Sequence, residues 1–241
     1  MRYAIISDIH GNLAALQRVL ERIDEENCDR IICLGDVVGY GPFPNECCEL
    51  VQNRAAITLC GNHDAVAGGR IRPDFFTVYA AQAIHWTLGR LNEANQRFLA
   101  GLPLIQREGN LIFVHSTPQE PEEWHYLTSI ARAGREFESF SEQICFIGHT
   151  HMPTAWVQVD GVIERRTAEF LRILPEERYI INVGSVGQPR DNNPDACFGI
   201  WDDERSEFRL IRTAYDIRAT QQAMREHRLP DFLIERLAYG R

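Results

Sequence analysis

Short apolar runs along the chain each end in a cluster of polar residues. Runs of about four to eight hydrophobic residues are typical of strands that are buried on both faces of a sheet. Because ligand sites in parallel sheets lie at the carboxyl ends of the strands, we expect these clusters to meet at one place. Five runs end in this way, and their clusters are Asp8-Ile9-His10, Gly35-Asp36, Gly61-Asn62-His63-Asp64, His115 and Gly148-His149-Thr150-His151.

The first half of the chain predicts two successive units of strand, helix and parallel strand. Asn12 is placed to cap a first helix, in which apolar residues recur at helical spacing, and a short second helix is expected near Asn45–Asn53. The spacing between the first three clusters suits such units and puts their side chains at the same edge of a sheet. The strands are expected at Tyr3–Ser7, Arg30–Leu34 and Ala56–Leu59.

The second half favours hairpins, together with a long helical stretch and a helical C-terminal region broken at Leu229-Pro230. The patterns predict an α/β fold with two mixed sheets flanked by helices, a four-layer α/β/β/α sandwich in a single domain over residues 1–241. The helical stretch is expected at about Phe76–Ala100. The hairpins pair Leu104–Arg107 with Leu111–Val114 and Thr154–Val159 with Val162–Arg166, and further strands are expected at Tyr179–Val183, Phe198–Asp202 and Phe208–Arg212.

The clusters carry nitrogen and oxygen donors of the kind that bind divalent metal ions. Within Asp8/His10 and within His149/His151 the residues are two apart, which on an extended strand places both side chains on one face. Taken alone, Asp8/His10 also fits an acid before a helix with an incidental histidine. Seven ligands are too many for one tetrahedral zinc and suit two ions bridged by a carboxylate. The candidate ligands are Asp8, His10, Asp36, Asn62, His115, His149 and His151.

The order of these clusters resembles the calcineurin-like metallophosphoesterase superfamily. The resemblance spans Asp8 to His151 and continues over Asn182–Asp191, which is similar to a segment of the small bacterial and archaeal phosphodiesterase branch. It implies the metallophosphatase fold, a double β-sandwich with helices on both outer faces. It also implies a first metal ion on Asp8, His10 and His151, a second on Asn62, His115 and His149, a bridging Asp36, and a His63 that stabilises or protonates the leaving oxygen without binding metal.

The resemblance further implies a dinuclear-metal-dependent phosphoesterase. It would hydrolyse a small phosphodiester or a nucleotide, with dinucleoside polyphosphates among the candidates, by in-line attack of a metal-bridging hydroxide. Manganese is the expected metal, while iron, nickel, cobalt and zinc also suit nitrogen and oxygen ligands. One departure is Ser116, where many relatives have glycine.

Two other functions compete with this one. A serine/threonine protein phosphatase usually carries an arginine in a G-D-x-x-D-R-G motif, but residues 35–41 contain neither that arginine nor the second aspartate. A non-catalytic scaffold with the same fold, such as a retromer subunit, has lost catalytic residues, whereas none is missing here. The phosphodiesterase is therefore preferred over both.

Substrate contacts are less constrained by the pattern. Arg190 is a candidate phosphate clamp or else a surface arginine, and Tyr40 lines the mouth of the site or is a plain turn residue. Asn12 either touches substrate or, as we prefer, caps a helix. His125 is preferred as a structural or exposed residue, and in the alternative its acidic loop approaches the site. Asp64 directly follows His63.

Composition narrows the function further. All 25 basic residues are arginine, so a Walker A lysine, a Schiff-base lysine and a Ser-Lys dyad are excluded. The net charge of −9 argues against an extended nucleic-acid groove, although bound metal would still attract a small anionic substrate. Seven cysteines without a C-x-x-C pair indicate a reducing cytoplasm, and no segment is apolar enough to predict a signal peptide or a membrane span.

Overall fold

Two six-stranded mixed sheets form the centre of the protein. The structure is a computed structural model that describes residues 1–241. Its strands are β1 (Arg2–Ile6), β2 (Arg30–Cys33), β3 (Ile57–Thr58), β4 (Ile105–Glu108), β5 (Leu111–Val114), β6 (Ile144–Ile147), β7 (Thr154–Val159), β8 (Val162–Arg166), β9 (Phe170–Arg172), β10 (Arg178–Asn182), β11 (Ala196–Asp202) and β12 (Glu207–Thr213).

Eight helices accompany the sheets, and short 3-10 turns lie at Pro121–Glu123 and Leu237–Tyr239. None of the helices combines the length and hydrophobicity that a bilayer crossing requires. The helices are α1 (Leu13–Glu25), α2 (Pro44–Arg54), α3 (Asn62–Ala67), α4 (Val78–Leu88), α5 (Glu93–Ala100), α6 (Ile130–Glu138), α7 (Ile217–Glu226) and α8 (Asp231–Arg236).

The first sheet has the strand order β3-β2-β1-β11-β12-β9. Its strands β1, β2 and β3 are parallel, which confirms the two predicted strand–helix–strand units. On its other side β1 pairs antiparallel with β11, so that Arg2 lies opposite Asp202. The N-terminal strand is therefore an interior strand that needs a partner from near the other end of the chain.

The second sheet has the order β4-β5-β6-β10-β7-β8. Both predicted hairpins are present at its edges, one formed by β4 and β5 and the other by β7 and β8. Between the hairpins, β5, β6 and β10 run parallel. The carboxyl ends of β5 and β6 consequently lie at the same edge of this sheet.

The alternation of side chains along each central strand builds the layers. In β1, Ile5 belongs to the core between the two sheets, while Ala4 and Ile6 face the core beneath α1 and α2. In β6, Phe146 lies between the sheets and Cys145 lies beneath α6. Because both faces are covered, β6 is apolar throughout and β1 is buried at every position after Arg2, and the predicted four-layer sandwich is confirmed.

Local details refine the sequence predictions. The helical stretch expected at about Phe76–Ala100 consists of two helices, because Gly89 ends α4 and the side chain of Asn92 caps α5. Helix α6 and the three-residue strand β9 were not predicted, and β3 is shorter than Ala56–Leu59. The C-terminal region is helical as expected, with Pro230 preceding α8.

Candidate metal centre

The predicted ligands converge where the carboxyl edges of the two sheets meet. Four of them, Asp8, His10, Asp36 and Asn62, follow strands of the first sheet, whereas His115, His149 and His151 follow β5 and β6 of the second. A hydrogen bond joins the two sets, since the backbone N–H of His149 donates to Asp8 Oδ2 at 3.0 Å. All seven side chains are buried, namely Asp8, His10, Asp36, Asn62, His115, His149 and His151.

The candidate ligand atoms fall into two main groups. Asp8, His10 and His151 form one, and Asp36, His115 and His149 form the other, with the candidate ligand atoms of each within 4.8 Å of one another. Asp36 lies between them: its Oδ2 is 3.6 Å from His10 Nε2 and 3.3 Å from His115 Nε2. These two groups contain six of the seven residues that the resemblance implies, without Asn62, and the assignment of ligands to each ion stays a prediction.

Left-handed backbone conformations orient the side chains of the candidate ligands. The side chains were expected to share a face because of strand alternation, but β1 ends at Ile6 and β6 at Ile147, before the ligands begin. That explanation was wrong, since the residues of the two pairs, Asp8/His10 and His149/His151, lie in the loops that follow the strands. A left-handed conformation costs a residue other than glycine roughly 1–2 kcal/mol, and positive φ angles occur at Asp8 (54°), His10 (51°), Asp36 (52°), His149 (65°) and His151 (59°).

Backbone carbonyls orient three of the imidazoles. His10 Nδ1 donates to the carbonyl of Val38 at 3.1 Å, and His149 Nε2 donates to that of Trp124 at 2.8 Å. His151 Nδ1 donates to the carbonyl of Gln188 at 2.6 Å. A histidine that holds its proton on one nitrogen offers the lone pair of the other to a metal ion. Sequence reasoning missed Val38, Trp124 and Gln188, because every residue has a backbone carbonyl and the pattern of side chains does not show which carbonyls accept these hydrogen bonds.

Several buried polar atoms at this place have no hydrogen-bond partner. They are Asp8 Oδ1, Asn62 Oδ1 and both ring nitrogens of His115. A buried polar atom without a partner costs about 1–3 kcal/mol, so native proteins rarely leave several together. Nitrogen and oxygen donors without cysteine suit borderline divalent cations. The residues present therefore fit the metal ions that the resemblance implies.

The electrostatics of the cluster also suit metal binding. Burial acts to raise the pKa of Asp8 and of Asp36, but the surrounding imidazoles outweigh it and hold both pKa values below the ordinary range. Burial lowers the pKa of His149 to about 3 and that of His10 well below its usual value. His115 differs: burial lowers its pKa, yet Asp36 and Asp8 raise it further, to about 9. Ionised carboxylates and neutral imidazoles are the forms that ligate metal, so His115 must release its proton to the solvent when a cation binds.

His63 lies beside the cluster in an aromatic setting. Its ring centroid is 4.5 Å from those of Tyr40 and Phe76, and its Nδ1 is buried without a hydrogen-bond partner. Burial, with a further contribution from Arg190, lowers the pKa of His63 to about 4. The ring fits against Gly39 only because that residue has no Cβ, which would collide with Nδ1. His63 also forms a close group with His10 and Asp36, so its exclusion from metal binding stays a prediction.

Asp64 braces the loops that carry the ligands. Its Oδ1 accepts hydrogen bonds from the backbone N–H groups of Val37 (2.9 Å) and Val38 (3.2 Å), and its Oδ2 accepts one from Gly61 (3.1 Å). Burial and the charge of Asp36 raise the pKa of Asp64 to about 7. Its hydrogen bonds thus go to the backbone around Asp36 and Asn62, and none of them goes to His63.

We expect Asp64→Asn to lower the free energy of unfolding by about 2–3 kcal/mol, because the new amide N–H faces a backbone N–H and one buried hydrogen bond is lost. Urea unfolding with a chelator present measures the change. Asp74→Asn, at an exposed aspartate, should change stability by no more than about 0.5 kcal/mol. Equal midpoints for the two variants would show that Asp64 is not a brace.

A cavity of about 430 Å³ opens onto the cluster, and Asp36, Asn62, His63, His149 and His151 form part of its wall. Tyr40 and Arg190 also line it. The guanidinium carbon of Arg190 lies 5.8 Å from the ring centroid of Tyr40. Its Nε and Nη2 donate to Gln188 Oε1 at 3.3 and 2.8 Å, which leaves Nη1 for a ligand.

Asn12 has no free amide atom for a substrate. Its Oδ1 accepts hydrogen bonds from the N–H of Ala15 and the hydroxyl of Thr220, and its Nδ2 donates to the carbonyl of Gly187 at 2.8 Å. These contacts are those of the preferred helix cap. Outside the cavity, the hydroxyl of Ser116 donates to the carbonyl of Pro121, and His125 lies 3.9 Å from Glu120.

Comparison with known proteins gives concordant results. A model of the calcineurin-like phosphoesterase superfamily domain matches residues 1–205. An uncharacterized protein of Methanocaldococcus jannaschii is 37% identical, over 99% of this chain and 98% of its own length. The crystal structure of a metallophosphoesterase from Sphaerobacter thermophilus is 39% identical, with a TM-score of 0.87 over 100% of this chain and 99% of that one. Phosphodiesterase YfcE of Escherichia coli is 25% identical over 85% of this chain and 89% of its own.

Proposed function

The chain belongs to the calcineurin-like phosphoesterase superfamily and is a phosphoric ester hydrolase, and from this premise we propose that it is a two-metal phosphodiesterase of small phosphodiesters or nucleotides. The observation that carries the proposal is the pair of buried ligand groups with Asp36 between them. Asp8, His10 and His151 would hold one ion, and Asn62, His115 and His149 the other. Divalent ions bound there would supply a nucleophile from water and neutralise charge on the phosphate.

In this proposal, His63 donates a proton to the leaving oxygen. With its low pKa the imidazole is neutral at pH 7 and donates an N–H hydrogen bond to the leaving oxygen. A negatively charged phosphate beside the ring raises the pKa of His63 and lets it deliver a proton as the ester bond breaks. Arg190, with Nη1 free, is placed to hold a non-bridging phosphate oxygen.

A diester is preferred over a phosphoprotein for two reasons. Tyr40 lines the cavity from the loop in which protein phosphatases usually carry an arginine, and Arg190 is the only cation of that wall with a fixed charge. The similarity to a phosphodiesterase points the same way. Manganese remains the expected metal. The reducing cytoplasm remains the expected compartment, since all seven cysteines are free thiols.

Removal of metal tests the proposal. We expect the purified protein to hydrolyse bis(p-nitrophenyl) phosphate, to lose this activity after dialysis against a chelator, and to regain it with Mn²⁺. Elemental analysis of the reconstituted protein should find two ions per chain. One ion per chain would contradict the two-metal site, and a protein that neither binds metal nor hydrolyses the ester under any of these conditions would be the scaffold instead.

A further inference from the structure

Aromatic side chains form much of the cavity wall between the metal ligands and the surface. A phosphate group and two cations need polar walls, yet the wall also contains the rings of Tyr40, Phe75, Phe76, Trp124 and Tyr126. A cavity of about 430 Å³ is also of the size that holds a whole small molecule. The rings therefore require an explanation beyond the phosphate.

One aromatic wall rests on His149, which belongs to the group with Asp36 and His115. The ring of Tyr126 stacks on His149 with a centroid distance of 4.4 Å and an interplanar angle of 12°. Tyr126 is nevertheless 54% exposed. One face of this ring is thus held by a metal ligand, while the rest is open to the cavity and solvent.

The other aromatic wall rests on His63. Phe76 packs on the imidazole at 4.5 Å, and the ring of Phe75 meets Phe76 edge to face, with 4.9 Å between their centroids. Phe75 is 55% exposed although it lines the cavity. This wall lies on the side where His63 serves the leaving oxygen, so the group that departs from phosphorus passes Phe75.

Two carboxylates complete the wall. Glu122 and Glu123 line the cavity, are exposed, and form no salt bridge. Unpaired carboxylates repel a phosphate, so their presence beside it is unfavourable unless the ligand also brings hydrogen-bond donors. Sugar hydroxyls and the amino groups of bases are such donors.

We propose that the cavity binds a nucleoside phosphodiester, with the base against Phe75 and Tyr126 and its donors towards Glu122 and Glu123. The inference rests on the proposed function and narrows its substrate. In the reaction a water oxygen bonds to phosphorus and the bond from phosphorus to the nucleoside oxygen breaks. That oxygen takes up the proton, so one water is consumed and a nucleoside and a phosphomonoester are released.

Two inhibitors that differ only in the base test this inference. Adenosine 5′-monophosphate and ribose 5-phosphate share a sugar phosphate, so the ratio of their inhibition constants against bis(p-nitrophenyl) phosphate reports the base alone. Stacking of a base on aromatic side chains accounts for about a tenfold or larger effect. We expect the adenosine compound to bind at least about tenfold more tightly to the natural protein.

Variants then locate the base. Phe75→Ala and Tyr126→Ala should each reduce the ratio several-fold, because they weaken binding of the adenosine compound more than binding of ribose 5-phosphate, while Phe75→Tyr should retain the ratio. Phe170→Ala is the matched control, because Phe170 is 54% exposed on β9 and lies outside the cavity. If the protein hydrolyses bis(p-nitrophenyl) phosphate but the two inhibition constants are nearly equal, the base site alone is overturned. If it does not hydrolyse the ester, the proposed function is overturned and this inference with it.

Discussion

Asp36→Asn is expected to lower kcat by about 10³-fold or more and to reduce bound metal below two ions per chain. Asp36 is the one carboxylate between the two ligand groups, and its Oδ1 also accepts the backbone N–H of His63 at 2.9 Å. An asparagine offers a single neutral oxygen, so it cannot serve both groups. Loss of one catalytic hydrogen-bond donor typically costs about 10²–10³-fold, and loss of a shared ligand should exceed that.

Kinetics with bis(p-nitrophenyl) phosphate and elemental analysis of the same preparation measure both effects of this substitution. Asp203→Asn is a suitable control, since it removes a carboxylate from an exposed turn between β11 and β12. Two bound ions together with the natural kcat in the Asp36 variant would rule out a shared carboxylate.

His63→Gln should lower kcat by about 10²–10³-fold while both metal ions remain bound, because general acids contribute about 10²–10⁴-fold. His63 lies close enough to His10 and Asp36 to be mistaken for a ligand, so metal content separates the two roles. Retention of two ions supports the proton role. Loss of one ion would make His63 a ligand.

The leaving group gives a second readout for His63. p-Nitrophenolate is a stable anion that needs little protonation, whereas an alkoxide leaving group needs a proton. The kcat of the His63 variant should therefore fall further for an alkyl diester than for bis(p-nitrophenyl) phosphate. Equal losses with the two esters would show that His63 acts through positioning rather than through the proton.

Much of the fold is predictable because burial leaves a signal in the chain. Ile5 and Phe146 face the inter-sheet core while their neighbours face the helices, so both strands appear as unbroken apolar runs. Each run has a clear end, and the polar residues after it include all seven expected ligands. The order of these clusters along the chain was informative, because both the proposed metal chemistry and the order of the strands in the sheets require the clusters to follow one another in this way.

What could not be predicted depends on the backbone and on tertiary contacts. The left-handed turns at Asp8 and His149 carry no signature, since neither position is a glycine. Helix α6 is only nine residues long and contains Gly134, so its periodicity is too brief to stand out. Phe75 and Tyr126 sit in irregular segments, where an aromatic residue has no periodic partner to reveal its direction.

The pairing of β1 with β11 has a consequence for the chain as it leaves the ribosome. The first strand emerges with its partner β2 soon behind it, but the strand on its other side ends at Asp202. Until that residue is released, one edge of β1 stays unpaired. The candidate ligands from Asp8 to His151 are all synthesised by then. The nascent chain therefore carries the proposed metal-binding side chains before the first sheet, which shields them from solvent, is complete.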